Sequence, residues 1–247
     1  MESSYVIRHE RCPECAKLGK DTAGNNLAVY SDNHRYCFGC GWYSGGSRLG
    51  SLHIRDDSRP HDLEQIALPH DSSYDYPKVA LDWIEQYELT RKDLLHHRVV
   101  YSDYYHRLIF PVYSGEGILA YQGRYFGPDT TKPKWWGEGN LKDTLHILKG
   151  KDDSCIILVE DIISAMKLQK VGHTSMPLFG SHVDLSRLKR IKNHYHKIIL
   201  WLDPDKRKES IKFANIGKSL GLDMRVIFSD QDPKQHPQQE IEEYLKT

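Results

Sequence analysis

The chain has 247 residues, in which 34 Lys and Arg balance 34 Asp and Glu, so that the formal net charge is zero. This balance argues against a strong unaided nucleic-acid binder, because non-specific affinity comes largely from neutralising phosphates. No apolar run approaches the roughly 18 residues of a membrane helix and the start lacks a secretory core, so we expect a cytoplasmic protein without a membrane partner. The length predicts a small module joined to a domain of roughly 150 residues.

Composition and periodicity divide the chain into four predicted parts. Residues 1–45 carry paired cysteines and short strand-like pieces, and residues 46–75 are polar and rich in Gly, Ser, Asp and Pro, which is typical of a flexible linker. Residues 76–150 contain two short helical patterns and a hairpin of two strands, which predict a small α+β subdomain. Residues 151–247 alternate apolar strands with amphipathic helices, as buried parallel sheets do. The predicted fold class is α/β, a parallel sheet flanked by helices, with an antiparallel β module at the amino terminus.

Four cysteines form two CxxC pairs near the amino terminus. Cys12 and Cys15 are separated from Cys37 and Cys40 by 21 residues, enough for a hairpin that delivers the second pair to the first. Four thiolates in tetrahedral reach favour one structural Zn²⁺, which stabilises a module too small for its own core. A pair of redox sites is the alternative, and Cys155 is expected only to pack.

Aromatic and hydrogen-bonding residues accompany the cysteines. This mixture suits stacking on unpaired bases and reading their edges. The alternative is that the aromatic side chains pack the small core of the module. The residues concerned are Asp32, His34, Arg35, Tyr36, Trp42 and Tyr43.

Acidic residues follow three predicted strands of the carboxyl-terminal part. The carboxyl ends of parallel strands share one edge of a sheet, so these side chains should converge there. Clustered carboxylates repel one another unless a hard divalent cation lies among them, which favours Mg²⁺, with Mn²⁺ as a substitute. The predicted ligands are Glu160, Asp203, Asp205 and Asp232. Helix capping is the alternative for such acids, and we expect Asp161 to cap the next helix.

Two cations after the predicted hairpin, Arg124 and Lys134, are candidates to neutralise charge on a metal-bound triphosphate. Taken singly, each is a surface cation. The segment from Arg187 to Lys218 has ten Lys and Arg against three Asp and Glu, and is one place where a polyanion would bind.

The order of these features resembles the DNA primases of bacteria and of T-odd phages. The resemblance covers nearly the whole chain, from "CPEC" and "SDNHRYCFGCGW" through "GR" and "KPKWW" to "DPD" and a later "DP". It implies a zinc ribbon that reads a short start site on single-stranded template, with Asp32, His34, Tyr36 and Trp42 as candidate DNA contacts. It also implies that residues 104 to 140 open an RNA-polymerising domain and that residues 154 to 247 form a TOPRIM fold.

By the same resemblance, Glu160 is the acid/base residue, Arg124 and Lys134 are the basic residues of the polymerising domain, and Asp203, Asp205 and Asp232 hold the metals. The sequence departs from the family after Glu160. Asp161 stands where the family has glycine, and Ser164 stands where it has an aspartate.

The predicted function is template-dependent synthesis of short RNA primers from ribonucleoside triphosphates during phage DNA replication. No phosphate-binding GxxxxGK[ST] loop is found in the sequence, so we expect a stand-alone primase that works with a separate helicase and DNA polymerase. Two alternatives remain: a non-catalytic recombination mediator that pairs a zinc site with a TOPRIM unit, and a metal-dependent TOPRIM nuclease.

Overall fold

The computed structural model describes residues 6–17, 19, 21–31, 35–37, 40, 42–44, 64–115, 117–141, 144–180 and 185–246. The chain divides into two compact units, residues 1–59 and 60–247. Within the described ranges, none of the helices is both long and apolar enough to cross a membrane.

The first unit contains an antiparallel sheet and a short helix. The strands pair in the order of the sequence, and the helix lies between the first and the second. The elements are β1 (Val6–Glu10), α1 (Pro13–Lys17), β2 (Leu27–Tyr30), β3 (Arg35–Cys37) and β4 (Tyr43–Ser44). The antiparallel β module predicted from the sequence is therefore present.

The second unit begins with two helices and an antiparallel sheet. Thr90 caps the second helix through a reciprocal capping box with Asp93. The strands are again in chain order, and the predicted hairpin is the central pair. The elements are α2 (Lys78–Glu85), α3 (Arg91–His96), β5 (Val100–Ser102), β6 (Arg107–Ser114), β7 (Gly117–Tyr125) and β8 (Trp135–Gly139).

A four-stranded parallel sheet follows, with strand order β10-β9-β11-β12. The end of its central strand β9, from Cys155 to Val159, is buried, as a strand covered on both faces requires. The elements are β9 (Asp152–Val159), α4 (Ile162–Lys170), β10 (His173–Pro177), α5 (Leu185–Lys192), β11 (Lys197–Leu200), α6 (Arg207–Ser219), β12 (Asp223–Val226) and α7 (Gln238–Lys246). Two 3₁₀ turns, Pro204–Lys206 and Pro233–Gln235, follow β11 and β12.

One hydrophobic core joins the two sheets of the second unit. It contains Ile84 of α2, Phe110 of β6, Ile157 of β9 and Trp201 after β11. This shared core fixes the antiparallel sheet relative to the carboxyl ends of the parallel strands.

The predicted linker ends earlier than the sequence indicates. Residues 46–63 lie outside the described residues, but Ile66 donates its backbone N–H to the carbonyl of Ile118, and Ser73 pairs with Tyr101. Residues 66 to 73 are therefore attached to the second unit, because their backbone is hydrogen-bonded to its sheet. The division of this unit at residue 150 stays a prediction.

Candidate active site

The acidic residues lie where the parallel strands end. Glu160 and Asp161 follow β9, Asp203 follows the adjacent β11, and Asp232 lies beyond β12. The structure thus brings residues from three chain segments to one edge of the sheet, as expected of open α/β folds.

Three of these carboxylates form a cluster. Asp161, Asp203 and Asp232 each offer a carboxylate oxygen within 4.8 Å of the others. Asp161 is also the helix cap predicted from the sequence, since its Oδ1 accepts the backbone N–H groups of Ile163 at 2.9 Å and Ser164 at 3.0 Å. Asp161 therefore both caps α4 and belongs to the carboxylate cluster. The sequence indicated only the capping role.

A lysine lies inside the cluster. Lys234 Nζ donates to Asp161 Oδ2 at 2.8 Å and to Asp232 Oδ2 at 2.5 Å, and its side chain is only 17% exposed. Burial alone would lower the pKa of Lys234, but these two carboxylates raise it above its ordinary value, so the ammonium form is stabilised.

The two remaining acids have unsatisfied oxygens. Asp203 Oδ1 and Glu160 Oε2 are buried and have no hydrogen-bond partner among the described residues. Burial, with the nearby charges of Asp232 and Glu160, raises the pKa of Asp203 to about 7. Burial also raises the pKa of Glu160, with Lys206 opposing the shift. Buried carboxylate oxygens without donors are expected where a cation binds, so the residues present fit Mg²⁺.

Asp205, a predicted metal ligand, lies apart from this cluster. Its side chain is 69% exposed and accepts a hydrogen bond from Lys206 at 2.5 Å, which lowers its pKa. The 3₁₀ turn at Pro204–Lys206 changes the direction of the chain immediately after Asp203. The structure therefore groups Asp203 and Asp232 with Asp161, while Glu160 contributes to the same pocket and Asp205 faces solvent.

A buried tryptophan, Trp201, stabilises the loops that carry the carboxylate cluster. Trp201 is fully buried two residues before Asp203, and its indole Nε1 donates to Ser229 Oγ at 2.8 Å. Ser229 Oγ donates in turn to the carbonyl of Gln231 at 2.6 Å. These bonds fix the loop that carries Asp232 against the end of β11.

The acids open into a cavity of about 410 Å³ between the parallel strands and the antiparallel sheet. Arg124 of β7 and Lys134 before β8 line this cavity together with Glu160 and Asp203. The structure thus places both predicted basic residues and two of the four predicted acids around one space. The other lining residues are Trp83, Tyr87, Gln122, Trp135, Asp161, Ile163, Phe179, Gly180 and Lys234.

Aromatic rings hold Arg124 in position. Its guanidinium carbon lies 5.3 Å from the ring centre of Trp83, 5.7 Å from that of Phe126 and 5.9 Å from that of Trp135. Burial lowers the pKa of Arg124, and its Nε has no hydrogen-bond partner in the described ranges. A guanidinium held by ring faces, with a donor still available, is preorganised to bind an anion.

The four cysteines form a second, separate site in the first unit. All four Sγ atoms lie within 4.8 Å of one another, and the cysteines are free thiols. Cys12 and Cys40 have their sulfurs 3.6 Å apart, as do Cys15 and Cys37. Zn–S bonds of about 2.3 Å in a tetrahedron place sulfurs about 3.8 Å apart, so the arrangement fits one structural Zn²⁺.

Asp21 orients the first cysteine pair. Its Oδ2 accepts the backbone N–H of Cys12 at 2.7 Å, and its Oδ1 accepts those of Asn25 at 3.0 Å and Asn26 at 3.3 Å. These bonds tie the amino-terminal knuckle to the turn before β2, as residues behind metal ligands commonly do. Sequence interpretation missed Asp21, because nothing in its local pattern marks it.

The predicted DNA contacts of this unit are only partly described. Asp32 and His34 lie outside the described residues. Tyr36 is 38% exposed on β3. Trp42 is half-buried and packs against the cysteine core, which agrees with the alternative that it is a packing residue.

Comparisons with known proteins address the fold. No protein-family model and no curated protein matches the sequence. Among solved structures, the zinc-binding and RNA polymerase domains of Aquifex aeolicus primase match all of this chain and 79% of theirs, with 14% identity and a TM-score of 0.59. The primase fragment of the bacteriophage T7 primase-helicase matches 98% of both chains, with 15% identity and a TM-score of 0.50.

A third solved structure, a DnaG primase catalytic domain bound to single-stranded DNA, matches 68% of this chain and 71% of its own, with 12% identity and a TM-score of 0.55. The matches to the Aquifex aeolicus and bacteriophage T7 structures extend over both units of this chain. The chain has the fold of the bacterial and phage DNA primases, as its sequence motifs indicated.

Proposed function

We propose that the protein is a DNA primase, which polymerises ribonucleoside triphosphates into short RNA primers on single-stranded DNA. The observation that carries the proposal is the cavity in which Glu160 and Asp203 face Arg124 and Lys134. Nucleotidyl transfer needs carboxylates for a metal and cations for the phosphates in one space, and this cavity supplies both. The likeness to a primase catalytic domain bound to single-stranded DNA supports the choice of template.

Carboxylates of Asp203 and Asp232, with the free oxygen of Glu160, would hold the Mg²⁺. When bound, the ion supplies charge neutralisation on the triphosphate and activates its α-phosphorus. Asp205 is proposed to bind from the solvent side of the same edge. Mn²⁺ would be a substitute, because it too prefers oxygen ligands.

The chain's own residues would provide binding and proton transfer. Arg124, held among three aromatic rings, and the exposed Lys134 would bind phosphate oxygens of the incoming nucleotide. Glu160 is also proposed to accept the proton of the attacking 3′-hydroxyl, through a carboxylate oxygen that is not bound to the ion.

The first unit is proposed to be the zinc ribbon that selects the template start. Tyr36 is 38% exposed and is proposed to stack on a base, and Asp32, His34 and Trp42 are the other proposed contacts. A separate replicative helicase and DNA polymerase are the proposed protein partners in a phage-infected cell. The residues following the ribbon are proposed to tether it, which raises its effective concentration at the template.

The test is incubation of the zinc-loaded protein with labelled ribonucleotides, Mg²⁺ and single-stranded DNA. A primase makes RNA oligomers, a nuclease shortens the DNA, and a recombination mediator yields neither product. Asp203→Ala should lower RNA synthesis to background with the fold intact by circular dichroism. The matched control is Asp223→Ala, an exposed acid at the amino end of β12 and so at the opposite edge of the sheet, which should retain synthesis. RNA synthesis by Asp203→Ala at the wild-type rate would refute the site.

The role of the ribbon has its own experiment. Cys37→Ser removes one of four thiolates and should release zinc, abolish the choice of start site and leave extension of a supplied primer. Sequencing of the products reveals the start sites. Unchanged start sites in a zinc-free variant would contradict the role given to the ribbon.

A further inference from the structure

The carboxylate cluster contains a cation that belongs to the chain itself. Lys234 Nζ lies between Asp161 and Asp232, at 2.8 and 2.5 Å from one Oδ2 atom of each. All three side chains are at most 22% exposed, so water screens the contacts little. The ammonium fills the position that an ion bridging these two carboxylates would occupy.

The cluster has two ends, Asp161–Asp232 and Glu160–Asp203, which differ in how many hydrogen bonds their carboxylate oxygens accept. Asp161 accepts two backbone N–H groups on Oδ1, and on Oδ2 it accepts the Ser164 hydroxyl at 3.0 Å together with Lys234. The Asp232 side chain accepts the backbone N–H of Gln235 as well as Lys234. At this end both carboxylates already accept hydrogen bonds from the chain itself, and both oxygens of Asp161 are used.

At the other end the oxygens are free. Within the part of the chain that the structure describes, Asp203 Oδ1 and Glu160 Oε2 are buried and receive no hydrogen bond. A Mg²⁺ ion binds oxygen at about 2.1 Å and dehydrates reluctantly, so it takes ligands that are not already committed to hydrogen bonds. Without nucleotide, the carboxylate oxygens that can bind an ion therefore belong to Glu160 and Asp203, and not to Asp161.

We propose that Lys234 takes the place of a second divalent cation, so that the nucleotide-free cluster holds one ion at its Glu160–Asp203 end. Like charges that are brought together must be neutralised, and a tethered ammonium does so without binding from solution. Asp161 and Lys234 act as a pair, joined by the 2.8 Å contact between Lys234 Nζ and Asp161 Oδ2. Lys234 is a positioning residue, because it holds Asp161 and Asp232 together at the same edge of the sheet as Glu160 and Asp203.

This inference rests on the proposed metal site and is tested by metal binding rather than by activity. The zinc-loaded full chain is titrated with Mn²⁺ alone, and free Mn²⁺ is measured by electron paramagnetic resonance. The wild type should bind one ion that Asp203→Asn abolishes. Lys234→Met should bind two, because removal of the ammonium frees the Oδ2 atoms of Asp161 and Asp232.

Thermal stability provides a second readout. Without divalent cations, Lys234→Met should melt below the wild type, since three carboxylates then repel one another, and saturating Mn²⁺ should raise its melting temperature more than that of the wild type. The control Lys212→Met removes one charge from the exposed face of α6 and should match the wild type in both measurements. If Lys234→Met does not fold, Lys234→Gln carries the same test, since it also removes the charge.

Two results would overturn the inference: two Mn²⁺ ions in the wild type that both disappear in Asp203→Asn, or one ion with unchanged affinity after Lys234 is replaced. Primer synthesis is measured separately. One bound ion without any RNA product would refute the primase and leave the role of Lys234 intact. Two Mn²⁺ ions bound by a wild-type protein that makes RNA primers would support the primase and refute the role of Lys234.

Discussion

Replacing Asp203 with asparagine should stabilise the protein while it abolishes metal binding. Burial and neighbouring acids raise the pKa of Asp203 to about 7, against about 3.9 for an ordinary aspartate. A pKa difference of about 3, at about 1.4 kcal/mol for each unit, gives an upper limit of about 4 kcal/mol. Because the side chain is only half-buried, solvent screening reduces the expected value to about 2 kcal/mol.

The sign follows from proton linkage. The folded protein holds the Asp203 proton more tightly than the unfolded chain, so this group's contribution to the free energy of unfolding falls as pH rises from about 4 to about 7, and the loss is complete above pH 7. The asparagine side chain of the variant carries no charge at any pH. The variant should therefore equal the wild type near pH 4 and exceed it by about 2 kcal/mol at pH 8.

Thermal unfolding in buffer without Mg²⁺ measures this difference. Tryptophan fluorescence reports the second unit, which contains Trp83, Trp135, Trp136 and Trp201. For a unit of this size, about 2 kcal/mol corresponds to a rise in melting temperature of roughly 4 to 8 °C at pH 8.

The matched control is Asp205→Asn, which removes an exposed carboxylate paired with Lys206 and should give no gain. A melting temperature for Asp203→Asn that is equal to or below the wild type at pH 8, or a gain that is the same at pH 4 and pH 8, would refute the reasoning.

Two further substitutions test residues that support the two sites, and a third tests a close backbone approach in the antiparallel sheet of the second unit. Asp21→Asn loses an acceptor for a cysteine backbone N–H and should weaken zinc binding roughly 10- to 100-fold in competition with a chromophoric chelator, whereas a change below twofold would count against it. Trp201→Phe loses the bond to Ser229 and leaves a void, so denaturant unfolding should show a loss of about 1–3 kcal/mol, together with weaker Mn²⁺ binding; an unchanged midpoint would contradict this packing. Gly139→Ala places a Cβ 2.3 Å from a backbone oxygen at φ +76° and should cost more stability than Gly115→Ala, where φ is +59° and nothing lies within 4 Å; equal losses would show that the close approach does not matter.

Much of the fold was predictable because its signals are local. The strand before Glu160 and the strand before Asp203 are continuous apolar runs, and each is followed by a turn residue and an amphipathic helix. Such runs indicate a covered parallel sheet, and the rule that parallel strands end at one edge then brings the acids together. The spacing of the four cysteines likewise predicted their cluster, because each CxxC presents two thiolates from a single turn.

The direction of each side chain beyond a strand end was decided by the tertiary structure alone. Asp203 and Asp205 are indistinguishable as sequence letters, yet the 3₁₀ turn that begins at Pro204 leaves Asp203 half-buried and Asp205 exposed. Asp161 has the sequence position of a helix cap, and its second role depends on Lys234, which is 73 positions away. Periodicity describes one element at a time, whereas these contacts arise from loops of different elements packed on one core. The sequence determined which chemical groups reach this edge of the sheet, and tertiary packing determined which of them meet, because only packing sets the distance between charges that are remote along the chain.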